Sequence, residues 1–277
     1  SFTISGSHIF VPVARQSGCH RNAPRNQIHD YQIVVCKHTV ILASSGLIKM
    51  KRHFFILIES SPERIHAKRY ISEDFEARMR LFIISNRLPV RMTREGDRLS
   101  FTRSEGGLAT GLGSLQIPYE KHWIGWPGIC TDDPQERKTI GSELRRMHFH
   151  PVFLSEAEIE NYYEGYSNST IWPLCHYFYA YTLYKSRFWE AYREVNRRFC
   201  EEICRVVEPG DRVWVQDYHL MLLPGMLREA MPDLCIGYFH HIPFPSYELF
   251  RILPERARLL RGLLGADFIA FHTPDYM

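Results

Sequence analysis

The residues best suited to chemistry stand where apolar runs end. Leu81-Phe82-Ile83-Ile84 gives way to Ser85-Asn86-Arg87, Val213-Trp214-Val215-Gln216 leads into Asp217-Tyr218-His219, and Ile236-Gly237-Tyr238-Phe239 ends in His240-His241. Short, continuous runs rich in β-branched and aromatic residues are what a strand buried on both faces requires. If the three runs lie parallel in one sheet, their polar ends share the edge where open α/β sheets collect ligands. Arg87 would offer a planar guanidinium fork to anionic oxygens. Asp217 would offer a carboxylate to hydroxyl groups, and the histidines would offer rings that titrate near neutrality. Adjacent strand residues point to opposite faces, so His240 and His241 cannot jointly hold one ion.

A second feature is the pair Gly106-Gly107 ahead of a helical pattern, GGLATGLGSL. Glycines there let backbone N–H groups approach a phosphate, and the start of a helix favours an anion. The spacing fits neither a dinucleotide fingerprint nor a P-loop. With Arg87 on the same rim, the arrangement suits a substrate carrying two separate phosphate groups. Trp123, Trp126, Tyr162, Tyr163, Tyr166, Trp172 and Tyr177 make residues 119–192 dense in rings. Most belong to a core. The stretch NYYEGYSNSTIWPL mixes rings with Asn, Ser and Gly, is expected to break helical order before Pro173, and suits a sugar ring. No Ser-His-Asp spacing, HExxH motif or metal-ligand cluster is readable in the sequence, so metal catalysis is not expected.

The elements that must position these residues begin at Met79. RLFIIS reads as a strand, and Glu95-Gly96-Asp97 as the tip of a hairpin. HWIGWPG and MHFHPVFL read as strands, and Ser155 with Glu158 as a capping box. SRFWEAYREVNRRFCEEICRVV places apolar residues at 188, 189, 192, 195, 199, 203 and 206, a helical stripe. Strand RVWVQD, helix MLLPGMLREAM, strand CIGYFHHIP, helix YELFRILPERARLLRGLL and strand FIAFHT follow; HTPDYM reads as the opening of another helix. The alternation predicts an α/β fold with a doubly wound, mostly parallel sheet covered on both faces. Residues 1–78 lack orderly turn chemistry or helical periodicity. They read as upstream sequence or a poorly ordered extension, with Met79 as the natural start.

Composition sets further bounds. Of 34 Lys and Arg and 31 Asp and Glu, residues 1–78 hold 11 and 6, leaving 23 and 25 for residues 79–277. The basic residues of the first segment follow no helical stripe, so neither nucleic acid nor a membrane surface is expected as a partner. No apolar run approaches the roughly 18–20 residues of a membrane span. The seven cysteines have no metal-site spacing; Cys200 and Cys204 sit one helical turn apart as half-buried core thiols. Reduced cysteines and the absence of a signal-peptide pattern point to the cytoplasm.

Six blocks, SNRLPV, SEGGLATGL, WIGWPG, YYEGYSNSTIWPLCHY, VWVQDYHLMLLPGMLRE and GYFHHIPFPSYELFRILP, resemble in order and spacing the N-terminal half of the trehalose-6-phosphate synthase family. The resemblance runs from about Met79 to Met277 and excludes residues 1–78. It implies the N-terminal Rossmann-like domain of a GT-B glycosyltransferase, with the C-terminal domain absent. It also implies transfer of glucose from UDP-glucose to glucose 6-phosphate with retention of configuration, without cofactor or metal.

By the same resemblance Arg87 meets the acceptor phosphate, Tyr163 and Trp172 the acceptor sugar, and Asp217 the acceptor hydroxyls. Gly106 and Gly107 meet the donor diphosphate, and His241 the donor glucose and the charge developing at the reaction centre. Ile242 shapes the anomer pocket and Trp126 is a wall. Asp217 and His241 are the catalytic candidates. His240 departs from the apolar residue the family usually carries there and reads as a neutral, packed side chain facing away from the cleft. Most of the family's nucleotide site lies in the absent domain, so turnover by this chain alone is not expected. Another phosphorylated acceptor such as glycerol 3-phosphate, a non-catalytic sugar-phosphate-binding module, a following phosphatase domain and a homo-oligomer are left open by the sequence.

Overall fold

The computed structural model describes residues 30–36, 39–45, 79–95, 98–103, 112, 117 and 119–272. Ten strands are present among them. β1 (Asp30–Cys36) and β2 (Thr39–Ser45) form an antiparallel hairpin, and β2 pairs antiparallel with β10 (Phe268–Phe271). β4 (Val90–Glu95) and β5 (Arg98–Arg103) make the separate hairpin expected around residues 95–97. The body is a parallel six-stranded sheet. It uses β3 (Arg80–Arg87), β6 (Glu120–Trp126), β7 (Phe149–Pro151), β8 (Arg212–Gln216), β9 (Cys235–His240) and β10, in the order β7-β6-β3-β8-β9-β10.

That order places the first body strand in the middle. The chain moves outward through β6 and β7, then returns to the other side of β3 for β8, β9 and β10. The reversal falls between β3 and β8, where a doubly wound sheet leaves a crevice at its carboxyl edge. Arg87 and Asp217 stand at the two lips of that crevice. The expected α/β, doubly wound sheet is the fold observed.

Strand alternation divides the interior into two layers. Phe82, Ile84, Ile124, Val213, Val215, Ile236 and Tyr238 share one cluster with the long helix α4 (Ser186–Val206). Leu81, Ile83, Trp123, Trp214 and Phe239 face the other way, onto Ile140 and Leu144 of α1 (Pro134–Arg146). Leu81 to Ile84 are at most 1% exposed, as a central parallel strand demands. Asp133 caps α1 by accepting the Gln135 N–H, and Pro134 occupies the first turn, where no N–H is needed. In α4 the expected stripe is buried at Phe188, Trp189, Tyr192, Val195, Phe199 and Ile203; Cys200 is buried, whereas Cys204 is exposed rather than half-buried.

Three local expectations need correction. The capping box of Ser155 and Glu158 is present at α2 (Glu156–Glu158), but helical order does not then break. It continues as a π-helix, Ile159–Ile171, into α3 (Trp172–Cys175). The strand read from MHFHPVFL is only three residues long and ends at Pro151, which has no N–H to continue a ladder. The helix read from YELFRILPERARLLRGLL is two helices, α6 (Tyr247–Phe250) and α7 (Arg256–Leu263), separated around Pro254. Between α4 and α6, α5 (Leu223–Ala230) follows a 3-10 turn at Tyr218–Leu220. Gly106, Gly107 and the helix opening at HTPDYM lie outside the described residues.

Candidate active site at the sheet's switch point

Arg87 ends β3 beside Trp126 of β6, after a register shift between Ile84 and Arg87. The Leu88 N–H donates to the Trp126 carbonyl at 2.8 Å, and Ser85 Oγ donates to the Arg87 carbonyl at 2.8 Å. These bonds fix the backbone while the side chain stays exposed. Its guanidinium carbon lies 5.5 Å from the Trp126 ring, and Trp126 is itself held by Nε1 donating to the Ile129 carbonyl at 3.1 Å. Gly128, at φ 86°, gives this guanidinium its room: a Cβ there would stand 2.7 Å from Nη2. Among the described residues no carboxylate pairs with Arg87. A guanidinium over an indole, exposed and without such a partner among the described residues, can receive an anion.

Asp217 follows β8 at φ 73°, a strained backbone for a residue with a Cβ. The strain is held by β9, the residue that follows it and the adjacent turn. Its N–H donates to the Phe239 carbonyl at 2.7 Å, and its Oδ1 accepts the Tyr218 N–H at 2.9 Å and the His241 N–H at 3.2 Å. Oδ2 has no protein partner among the described residues. Burial raises the carboxyl to a pKa of about 6, against the pull of the two N–H donors. Near neutral pH Asp217 is therefore ionised at a cost, with one oxygen free to accept a hydroxyl proton.

His241 is oriented by a partner that sequence reasoning passed over. Its Nε2 lies 2.8 Å from Oε1 of Gln216, a buried residue at the end of β8. An amide oxygen only accepts, so Nε2 carries the proton. Nδ1 then accepts from Nε2 of His272, 3.1 Å away. Burial, followed by the neighbouring His272, lowers the His241 pKa to about 4. The ring is neutral at physiological pH, in one tautomer. Gln216 was discoverable: it is the last residue of an apolar run and polar without an evident reason. His240 is fully buried against Phe244 and Phe271, with a pKa pushed to about 3 by burial, as a packed neutral histidine should be. Ile242 packs at the edge of the core next to these two.

The π-helix supplies the aromatic wall. Tyr163 stacks on His219 with ring centres 5.6 Å apart, and the Tyr218 hydroxyl donates to Asn168 Oδ1 at 3.1 Å. These contacts bind the helix to the turn that carries Asp217. The Tyr162 hydroxyl donates to Asn86 Oδ1 at 2.9 Å, next to Arg87. Trp172, 39% exposed, stacks on His176 at 4.0 Å and lines a pocket of about 370 Å³ with Asn168, Ser169, Pro173, Phe178, Tyr181 and Leu183. Helix geometry decides whether Tyr163 and Trp172 can cooperate. Nine residues at about 100° each would set them on opposite faces of an α-helix. At about 4.4 residues per turn of a π-helix, nine residues make about two turns and align them. The wide winding is visible in the Trp172 N–H bonding to the Ser167 carbonyl, five residues back.

One further cluster was not legible in the spacing: Glu120, His122 and His148 meet at the opposite, amino edge of β6 and β7. Among the described residues no helix is long and apolar enough to cross a membrane.

A doubly wound domain with an exposed guanidinium and a carboxylate at its switch point has the Rossmann-like architecture that binds phosphorylated ligands. Sequence comparison agrees, and the chain belongs to glycosyltransferase family 20, whose profile matches residues 79–277. It is 41% identical over 209 residues to an alpha,alpha-trehalose-phosphate synthase [UDP-forming] of Pichia angusta, covering 71% of this chain and 44% of that protein. It is 44% identical over 209 residues to such a synthase of Aspergillus niger, covering 73% and 40%. Among solved structures it resembles the UDP-forming synthase of Burkholderia xenovorans in complex with glucose-6-phosphate. The TM-score is 0.54 at 29% identity, over 68% of this chain and 39% of that one. The chain thus spans less than half the length of each of these relatives.

Proposed function

We propose that this chain forms the acceptor half of a retaining glucosyltransferase that moves glucose from UDP-glucose to glucose 6-phosphate, yielding trehalose 6-phosphate and UDP. The observation that carries the reading is the pairing, across one switch point, of an exposed guanidinium and a half-buried carboxylate, the first without a carboxylate partner and the second with one oxygen unbonded among the described residues. A sugar phosphate needs both. Arg87 would take the phosphate, Asp217 Oδ2 the sugar hydroxyl that attacks, and Tyr163 with Trp172 the faces and edges of the ring. The names of the similar synthases, one of them holding glucose-6-phosphate, support the same acceptor.

In this reading the C1–O bond to UDP breaks as the acceptor oxygen bonds C1 on the same face. The acceptor proton passes to the departing β-phosphate oxygen, so no enzymic nucleophile is needed. Asp217 fixes the angle of attack rather than removing the proton, and catalysis is mostly positioning and charge stabilisation. His241, neutral and pinned by Gln216, would turn its Nδ1 edge to a donor-sugar hydroxyl in place of His272. Ile242 would limit the room on the anomeric side, and Trp126 would wall the phosphate end. Gly106 and Gly107 would approach the donor diphosphate. Neither metal nor cofactor enters the scheme. Cys130, Cys175, Cys200, Cys204 and Cys235 are free thiols, which suits a cytoplasmic enzyme.

The test is calorimetric binding of glucose 6-phosphate and of glucose to the chain. Arg87→Ala should weaken glucose 6-phosphate about ten- to a hundredfold, the worth of a charge-assisted bond to phosphate, and leave glucose nearly unchanged. Arg87→Lys should recover part of the loss, because a point charge cannot reproduce the fork. Equal losses for both sugars, with a lowered melting temperature, would make Arg87 structural. Displacement of glucose 6-phosphate by equimolar glycerol 3-phosphate would move the acceptor assignment to that compound.

A further inference from the structure

The amino edge of the sheet carries a polar cluster that the transfer reaction does not use. Glu120 and His122 project from the start of β6, two residues apart and so on one face of the strand. His148 stands between α1 and β7 at φ 63°, the left-handed conformation that ends helices and usually belongs to glycine. Its N–H donates to the Arg145 carbonyl and its own carbonyl accepts from the Trp123 N–H, so the strained turn is locked. The turn aims the ring at Glu120: His148 Nδ1 lies 2.7 Å from Glu120 Oε1. His122 Nε2 lies 3.5 Å from the same oxygen and 3.4 Å from His148 Nδ1.

Three donor atoms thus converge without a covalent or apolar reason to do so. A tetrahedral zinc ion with bonds of about 2.0–2.1 Å has its ligand atoms about 3.3–3.4 Å apart. Two of the three separations already match, and the third is a hydrogen bond that would lengthen by about 0.6 Å. The next partner is also in place. His122 Nδ1 lies 3.0 Å from His150 Nε2, which would accept the proton that a metal-bound imidazole carries on its far nitrogen. Burial keeps His122 and His150 below the usual histidine pKa, so their lone pairs are available at neutral pH. Arg80, within electrostatic range of Glu120 and His122, is paired with Asp211 at 2.6 Å and Glu208 at 3.2 Å. Arg145 lies within electrostatic range of His150. Glu120 and His148 keep 53% and 46% of their side chains exposed, which leaves an entry path and a fourth position for water.

We propose that Glu120, His122 and His148 bind one divalent transition-metal ion, of the zinc class, that clips the three-residue edge strand β7 to β6. Two imidazoles and a carboxylate suit Zn²⁺ and exclude Mg²⁺ or Ca²⁺, which want oxygen shells. Four to six residues of β6 separate this cluster from Trp126, about 13–20 Å at strand rise, so the ion would stabilise the fold and take no part in transfer.

The experiment titrates Zn²⁺ into the metal-free chain, followed by calorimetry and thermal unfolding, with Co²⁺ as a spectroscopic probe. One equivalent should bind, with the visible bands of a low-coordinate Co²⁺ site. At a free concentration a hundredfold above Kd, the melting temperature should rise by about 5–10 °C. His148→Gly is the decisive variant, because glycine suits φ 63° and should leave the metal-free melting temperature unchanged or raised. It should abolish the zinc-induced rise, as should Glu120→Gln, while His150→Phe should cost about 10- to 100-fold in affinity. His272→Ala, which breaks the histidine pair at the opposite edge, should bind zinc as the parent does. Retained stoichiometric binding in both His148→Gly and Glu120→Gln, or binding lost in His272→Ala alone, would overturn the assignment.

Discussion

Asp217→Asn separates the cost of the site from its use. The carboxyl sits at a pKa of about 6 instead of the ordinary 3.8, because burial disfavours its charged form. The folded state therefore holds a proton between about pH 4 and pH 6 that the unfolded chain has released. Stability is highest below pH 4 as far as this group is concerned, and falls as pH rises through 6. The difference corresponds to about 3 kcal/mol at neutral pH. An asparagine keeps an oxygen for the Tyr218 and His241 N–H groups, tolerates φ 73° and has no charge to bury. At pH 7 the variant should melt about 6–12 °C above the parent, and at pH 4 the two should coincide. Glucose 6-phosphate affinity should fall about tenfold, the difference between a charged and a neutral acceptor. The assay is thermal or denaturant unfolding from pH 4 to 8, paired with calorimetry. The buried histidines gain stability over the same pH range, so the difference between variant and parent is the readout: a variant less stable at pH 7, or a difference that does not grow between pH 4 and 6, would refute the claim that burial sets this pKa.

The remaining expectations are briefer. In Gly165→Ala the new methyl would stand 2.6 Å from the Phe188 ring. Overpacking of about 1–3 kcal/mol should outweigh the gain of about 1 kcal/mol in helix propensity, and a raised melting temperature would show that the π-helix can move off α4 freely. A chain beginning at Met79 should unfold in a single transition like the full chain; loss of that transition would make the β1–β2 hairpin an integral part of the sheet. This chain alone should not transfer glucose from UDP-glucose. Under the proposed function, the chain completed with a C-terminal nucleotide-binding domain should do so at a rate indifferent to added Mg²⁺ or Mn²⁺, and a rate that depends on either ion would contradict the transfer scheme above.

What the sequence made legible was whatever depends on burial and on strand ends. The runs at 81–84, 213–215 and 236–239 are continuous because both faces of a central parallel strand are covered, and that continuity is enough to rank them as strands. Their polar ends could then be gathered on one edge without knowing the strand order. The order adds which two lips face each other, β3 and β8, and therefore that Arg87 and Asp217 share a crevice. The cluster of Glu120, His122 and His148 stayed hidden for the opposite reason. Its members are separated by α1, and they meet only because β7 pairs with β6 and His148 takes a backbone conformation that its residue type does not announce.

The helix from 156 to 175 shows why the aromatic wall was the hardest part to read. Its Asn, Ser and Gly residues are poor α-helix formers, and a break before Pro173 was the reasonable inference. The same residues permit a π-helix. Gly165 lets the segment press against Phe188 where any Cβ would collide, and Ser169 Oγ donates to the Glu164 carbonyl at 2.6 Å, satisfying a group that the wider winding loosens. Pro173 is tolerated because it sits in the first turn of α3. Propensity therefore weakens the α-helix without ending the helix. By ideal geometry, π-winding would bring Tyr163 and Trp172 onto one face where α-winding would set them opposite. A π-helix is costly and rare, and under the proposed function its winding has a consequence: two rings nine residues apart could face one sugar together only if the helix between them is wound this way.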